Sequence, residues 1–301
     1  MHKISVSVPA VCTNLGPGYD VLGLALNLRT TVEMALREDD RFAIQVRGEG
    51  EDRLPEDLYN PAMMAAIALF QTLERAPAGL SVMCASRIPL DAGLGARVAL
   101  AVGGLMAANN LLGSPLSRED LIALAGRLSG RPEAVVAAMR GGLSVCSASG
   151  DLLYRTLDIE PLLVVLAIPD LPLYPQRGRD DLPQVVPLGD AVHNIGRALL
   201  VVEALRDGDF ELLGEALSDH LHEPYRRADI PGYHAVVEAA RRAGASGVAL
   251  CGAGPALAAF AAREHAAVEQ AMADAFERAG VPARTLTVAV DTQGVVINVV
   301  D

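Results

Sequence analysis

Between Gly93 and Gly113 the chain is built almost wholly of small and apolar residues, Ala96 to Leu112, entered through a Gly93-Leu94-Gly95 loop. Side chains this small let neighbouring backbones come close, so the stretch predicts a helix packed centrally inside the molecule and ended by Gly113. Around it, strand patterns fall near 4–9, 30–37, 42–48 and 79–86, and a helix near 61–75 opens at Asn60-Pro61. Ser117-Arg118-Glu119-Asp120 reads as a capped helix start running to about residue 129. Gly141-Gly142 breaks the next helix before a strand at 143–147.

The second part opens with a hydrophobic strand, Leu162 to Ile168, followed by a proline-punctuated loop from Pro169 to Pro187 whose length suggests function. Helices are expected near 189–206, 209–220 and 231–243, then strands 247–251 and 256–261 across a glycine turn. A helix over 264–279 and strands over 284–290 and 294–299 complete an α+β chain without internal repeats. At 301 residues two lobes fit better than one, and the division expected is 1–155 and 156–301.

Acidic residues number 37 against 25 basic ones, a net charge of −12 that argues against a nucleic-acid partner. A local arginine cluster can still reverse that field inside one cleft. The four cysteines, Cys12, Cys84, Cys146 and Cys251, lack paired metal-ligand spacing and read as buried free thiols, which fits a reducing cytoplasm. The start of the chain has no signal-peptide pattern, and no apolar run is long enough for a bilayer. His220 and His222, two apart, would not share a helix face, so they suggest no metal site. No Ser-His-Asp order or nucleophile elbow appears, which weakens a hydrolase reading.

Four segments could carry chemistry. Thr13-Asn14-Leu15-Gly16-Pro17-Gly18-Tyr19-Asp20 follows a strand as a shaped loop with one amide and one carboxylate; alone, an ordinary turn is the commoner reading. Gly93-Leu94-Gly95 opens a helix whose N–H groups and dipole suit phosphate, though a simple helix cap fits as well. Cys251-Gly252-Ala253-Gly254-Pro255 is either a hairpin turn or a close approach to a ligand. His222-Glu223-Pro224-Tyr225-Arg226-Arg227 sets two arginines beside a proline, as a carboxylate or phosphate site or as a solvated helix end.

The order of these segments resembles the three motifs of the GHMP kinases, and within them the homoserine kinases, over nearly the whole chain. Pro132-Glu133-Ala134-Val135 with Gly141-Gly142, Leu182-Pro183 ahead of Asp190-Ala191-Val192, and the arginine segment followed by Ile230-Pro231 strengthen the resemblance. It implies a two-lobed fold, the N-terminal lobe like a ribosomal-protein domain and the C-terminal lobe ferredoxin-like, with the active site between. It also implies ATP-dependent phosphorylation of the L-homoserine side-chain hydroxyl, a step toward threonine, with an amino-acid substrate, a nucleotide and a homodimer as partners. Asn14, Asp20, Arg131, Arg179 and Arg226 match substrate positions, the carboxylate suiting an ammonium and the arginines a carboxylate. Asn60, Gly93, Leu94, Gly95, Ala96, Arg97, Gly252 and Gly254 match nucleotide positions.

The family also implies magnesium, and here the chain departs from the pattern. Its Gly-Leu-Gly-Ser-Ser appears as Gly93-Leu94-Gly95-Ala96-Arg97, its metal carboxylate aligns with Arg127, its His-Pro-Asp-Asn reads Arg131-Pro132-Glu133-Ala134, and a loop threonine aligns with Pro175. Arginines supply no oxygen ligands, so no residue is assigned to a metal. The readings are a homoserine kinase with an altered phosphate site or a relative that binds an amino acid or anion without phosphoryl transfer. A third is a GHMP kinase for another alcohol. In the first, Arg97, Arg127 and Arg131 replace the metal's charge; in the second, Arg97 blocks ATP; a plainer reading has some of these arginines pointing to solvent.

Overall fold

The computed structural model describes residues 3–171 and 181–300. Its first part runs β1 (Lys3–Thr13), β2 (Leu22–Arg37), β3 (Phe42–Gly48), α1 (Pro61–Thr72), β4 (Gly79–Ser86), α2 (Ala96–Leu111), α3 (Arg118–Ser129), α4 (Pro132–Arg140), β5 (Leu143–Ser147) and β6 (Leu153–Leu157). The second runs β7 (Leu163–Pro169), α5 (Leu188–Asp207), α6 (Phe210–Ala216), α7 (Tyr233–Arg242), β8 (Gly247–Leu250), β9 (Leu257–Phe260), α8 (His265–Arg278), β10 (Ala283–Ala289) and β11 (Val296–Val300).

Two sheets result. The larger has the order β11-β1-β2-β4-β3, with β5 and β6 attached through β2, and the smaller has the order β10-β7-β9-β8. The expected division at residue 155 falls within β6, and β11 from the far end of the chain pairs antiparallel with β1. An ion pair helps hold that return: Arg29 bonds Asp291, whose Oδ1 also accepts the N–H groups of Gln293 and Gly294 at 3.0 and 2.9 Å.

Helix α2 lies at the centre of the first lobe, as its small residues predict. A Cβ on Gly104 would stand 2.1 Å from the carbonyl oxygen of Ala62 in α1, and one on Gly103 would stand 2.6 Å from the side chain of Val32 in β2. Only glycine lets both neighbours pack at this distance, which is why the helix accepts the conformational cost of glycine in its interior. The first core cluster spans α2, α1, α4 and the large sheet, and a second joins α7 and α8 to the smaller sheet.

Two expectations change. The helix foreseen over 209–220 stops at Ala216, because the Asp219 carboxylate takes the N–H groups of Leu221, His222 and Glu223 at 2.8, 3.0 and 2.5 Å and folds the chain into a turn. Strand β6 was not foreseen: its side chains are exposed or half-buried, so its apolar pattern is weak, and pairing with β5 defines it.

Candidate active site

Three loops meet where the sheets adjoin. The Gly252 N–H donates to the Thr13 carbonyl at 3.1 Å, the Asn14 amide donates to the Gly252 carbonyl at 3.0 Å, and the Ala256 N–H donates to the Ala92 carbonyl at 3.1 Å. Gly93 has a φ of +81°, and a Cβ there would stand 2.0 Å from the Cys251 carbonyl oxygen. The loop before α2 therefore presses directly onto the loop after β8.

A disulfide crosses the same seam, joining Cys12 to Cys251 with their Cα atoms 4.8 Å apart. The expectation of four free thiols fails for this pair, since the end of β1 and the end of β8 are neighbours despite a sequence separation of 239. Cys84 and Cys146 are free, and burial pushes each thiol up to about 12, leaving them unreactive.

Beside the seam opens a cavity of about 630 Å³, a size suited to a small ligand. Tyr59, Pro61, Met64 and Leu128 give it apolar surface. Gly93, Leu94, Gly95, Ala96 and Arg97 line it at the start of α2, where Gly95 is left-handed and no side chain caps the helix. The first-turn N–H groups and the positive dipole end are thus available to an anion. Gly252 and Gly254 complete the wall.

The aligned arginines behave differently from one another. Arg97 lines the cavity, but its Nε donates to Asp91 Oδ1 at 3.1 Å, while Arg53 holds Asp91 Oδ2 at 2.6 Å. Arg131, the residue before α4, also lines the cavity, as does buried Ala134. Arg127 is exposed in the last turn of α3 and is not part of the cavity wall. Pro175 and Arg179 lie outside the described residues.

Two matched polar residues have structural partners. Asn60 is fully buried, capping α1 through the Ala62 N–H at 3.0 Å and donating to the Pro55 carbonyl at 2.9 Å, so its neighbour Tyr59 reaches the cavity instead. Asn14 bridges the first and third loops, its Oδ1 accepting the Asp20 N–H at 3.1 Å. Asp20 is thereby held in the left-handed conformation at φ 56°.

A further cluster forms around His222, to which the sequence assigned no role of its own beyond its place ahead of the two arginines. Asn194 in α5 donates to the Pro17 carbonyl at 3.1 Å and to Asp219 Oδ1 at 2.7 Å, pinning the 219–223 turn against the first loop. His222 is consequently buried, its ring stacked on Tyr19 at 4.8 Å between centroids, and its Nδ1 has no hydrogen-bond partner. Burial pushes His222 down to about 4, against the pull of Asp219, and Arg226, Asp20 and Arg131 all lie within its electrostatic reach. Asp20, Arg131 and Arg226 thus lie in the neighbourhood of an imidazole that burial keeps uncharged. Arg226 is 2% exposed and has the Asp181 carboxylate at 4.0 Å.

Next to it, Glu223 is buried, accepting the Leu250 N–H at 2.6 Å and the Tyr233 hydroxyl at 3.1 Å. Burial pushes its carboxyl up to about 7. The available signal for His222 was its place in the His-Glu-Pro-Tyr-Arg run; Asn194 and Asp219 carried none, since their role depends on two distant turns.

Residues 60–142 match the GHMP kinases N terminal domain, and residues 201–278 match GHMP kinases C terminal. Homoserine kinase of Moorella thermoacetica is 40% identical over 294 residues, covering 97% of this chain and 99% of that protein. The homoserine kinase of Gloeobacter violaceus is 42% identical over 280 residues, covering 91% and 93%. The crystal structure of homoserine kinase from Cytophaga hutchinsonii superposes with a TM-score of 0.87 at 27% identity, covering 98% of this chain and 97% of that one. The fold, its seam of three loops and these full-length likenesses place the chain in one family: it belongs to the homoserine kinases, a branch of the GHMP kinases.

Proposed function

We propose that this protein phosphorylates the side-chain hydroxyl of L-homoserine with ATP, using the cleft where the three loops meet. The proximity of Asp20, Arg131 and Arg226 to His222, with Arg131 also lining the cavity opened at the start of α2, carries the reading. Asp20 suits the substrate ammonium, and Arg226 suits the carboxylate with charge-assisted hydrogen bonds. His222 stays uncharged beside two arginines and offers Nδ1 to a polar group of the substrate. Tyr59, Met64 and Leu128 suit the base, and the N–H groups of Ala96 and Arg97 suit the phosphates.

In the reaction the hydroxyl oxygen bonds to the γ-phosphorus as the bond to the β–γ bridging oxygen breaks. ADP leaves with that electron pair, and the hydroxyl proton is released to solvent. Because the transferred group needs mainly alignment and charge stabilisation, the fixed loops and the helix start supply what the chain must contribute. An assay coupling ADP release to L-homoserine should show turnover above the ATP-only blank. Binding of homoserine with no ADP release at any ATP or magnesium concentration would instead support the non-catalytic reading.

The reading includes a homodimer. Leu188, Val192, Ile195 and Leu199 recur along one exposed face of α5, with Val185 just ahead of the helix and Gly189 and Gly196 open to solvent on the same helix. This a/d spacing fits helix-to-helix packing, and glycines let a partner backbone approach. The stripe carries no charge, so two copies of a −12 chain meet there without direct repulsion. Light scattering should give twice 31.5 kDa, and Ile195→Glu should give the monomer; a monomeric parent protein refutes this assignment.

A further inference from the structure

The family's magnesium does not fit the residues of this cavity. A protein-held magnesium needs oxygen ligands in a near-octahedral set. Among the described residues no group of three or more His, Cys, Asp or Glu side chains could hold a metal ion. The one carboxylate among the described cavity-lining residues is Asp91, and both its oxygens are engaged by arginines. Glu133 is no part of the wall; it is buried within electrostatic reach of the Cys146 thiol.

What the cavity offers instead is cationic: Arg97 in the first turn of α2, Arg131 just before α4, and the uncapped N–H groups between Gly95 and Val98. We propose that guanidinium groups take the place of a protein-held divalent cation, so that Arg97 and Arg131 receive the triphosphate directly. A guanidinium presents a planar fork of donors that matches phosphate oxygens two at a time and stays charged at any working pH. Arg97 is well placed for this exchange, with a side chain 55% exposed and Asp91 as its resting partner. Moving from carboxylate to phosphate swaps one anion for another, so the guanidinium is never left without a counter-charge. Arg53 keeps Asp91 paired when Arg97 departs. Arg127 has no part in this arrangement, because it is not in the cavity wall.

The proposal rests on the ATP reading above, and calorimetry separates the two. ATP is titrated into the full-length protein once in excess EDTA and once in excess magnesium. The expected result is a Kd in EDTA equal to or tighter than that in magnesium. Arg131→Ala and Arg97→Ser should each weaken ATP in EDTA by roughly tenfold to a hundredfold, the scale of one charge-assisted contact. Arg97→Lys should retain part of the affinity, and Asp91→Asn, which frees Arg97, should tighten binding by about threefold. Thermal melts confirm that each variant is folded. ATP binding that vanishes in EDTA and returns with magnesium overturns the proposal while leaving the kinase reading intact. Parent-level affinity in both arginine variants overturns it too, and absence of ATP binding in both conditions removes the kinase reading as well.

Discussion

Around His222 the charged groups are buried or half-buried and Asp219 is wired to backbone, whereas around the first turn of α2 two arginines stand at the surface and share one half-buried carboxylate. Arg226 is 2% exposed, and Asp219 accepts three backbone N–H groups and one amide. Arg97 is 55% exposed and Arg53 60%, with Asp91 between them. A buried charge must keep its counter-groups, because losing them strands it in a poor solvent at a cost of several kcal/mol. An exposed ion pair contributes about 1 kcal/mol at most, so its partners can change with little effect on stability. The contrast leaves the exposed half freer to exchange its charged side chains than the buried half.

The largest expected effect tests the buried half. Arg226→Ala should lower kcat/KM for L-homoserine by about a thousandfold, the scale of losing a desolvated charge contact. ATP affinity, read by calorimetry on the same variant, should change by less than about threefold. An equal loss in both would merge the two halves and break the comparison.

A smaller effect reads burial through pH. His222 has its pKa lowered to about 4, so the unfolded chain binds its proton more tightly and this contribution to stability is lost as pH falls from about 6.5 towards 4. Glu223 has its pKa raised to about 7, so its contribution has the opposite sign and is lost as pH rises from about 4.5 through 7. Between about pH 4.5 and 6.5 the two slopes oppose each other. In Glu223→Gln the histidine acts alone, and stability should climb by roughly 2–3 kcal/mol more than in the parent protein across that interval. Chemical denaturation at the two ends checks it; parallel curves for variant and parent would show that these neighbours are not as desolvated as the packing indicates.

Part of the candidate site was legible in the sequence. The loop before α2 was visible because its glycines record a local backbone demand, and the packing at Gly93 bears that out. Arg97 and Arg131 stood out as departures at aligned positions. Which of the three cationic replacements line the cavity was not legible: Arg127 ends α3 facing solvent, while Arg131 follows a short turn that brings it inward. Asn14 and Asn60 were legible as positions matching the family, but their hydrogen bonds to Gly252 and Ala62 were not, since an amide's partners depend on how the loops meet.

By itself the sequence determined most of the elements and their order, β6 aside, because helix periodicity, the small residues of α2, and caps such as Ser117 act within a few positions along the chain. The tertiary structure alone decided that β11 returns to β1, that Cys12 meets Cys251, and that Asn194 and Asp219 seat His222 beside Asp20, Arg131 and Arg226. Those contacts join segments far apart in sequence, and they form only where the summed burial of both cores fixes the meeting of strands and loops.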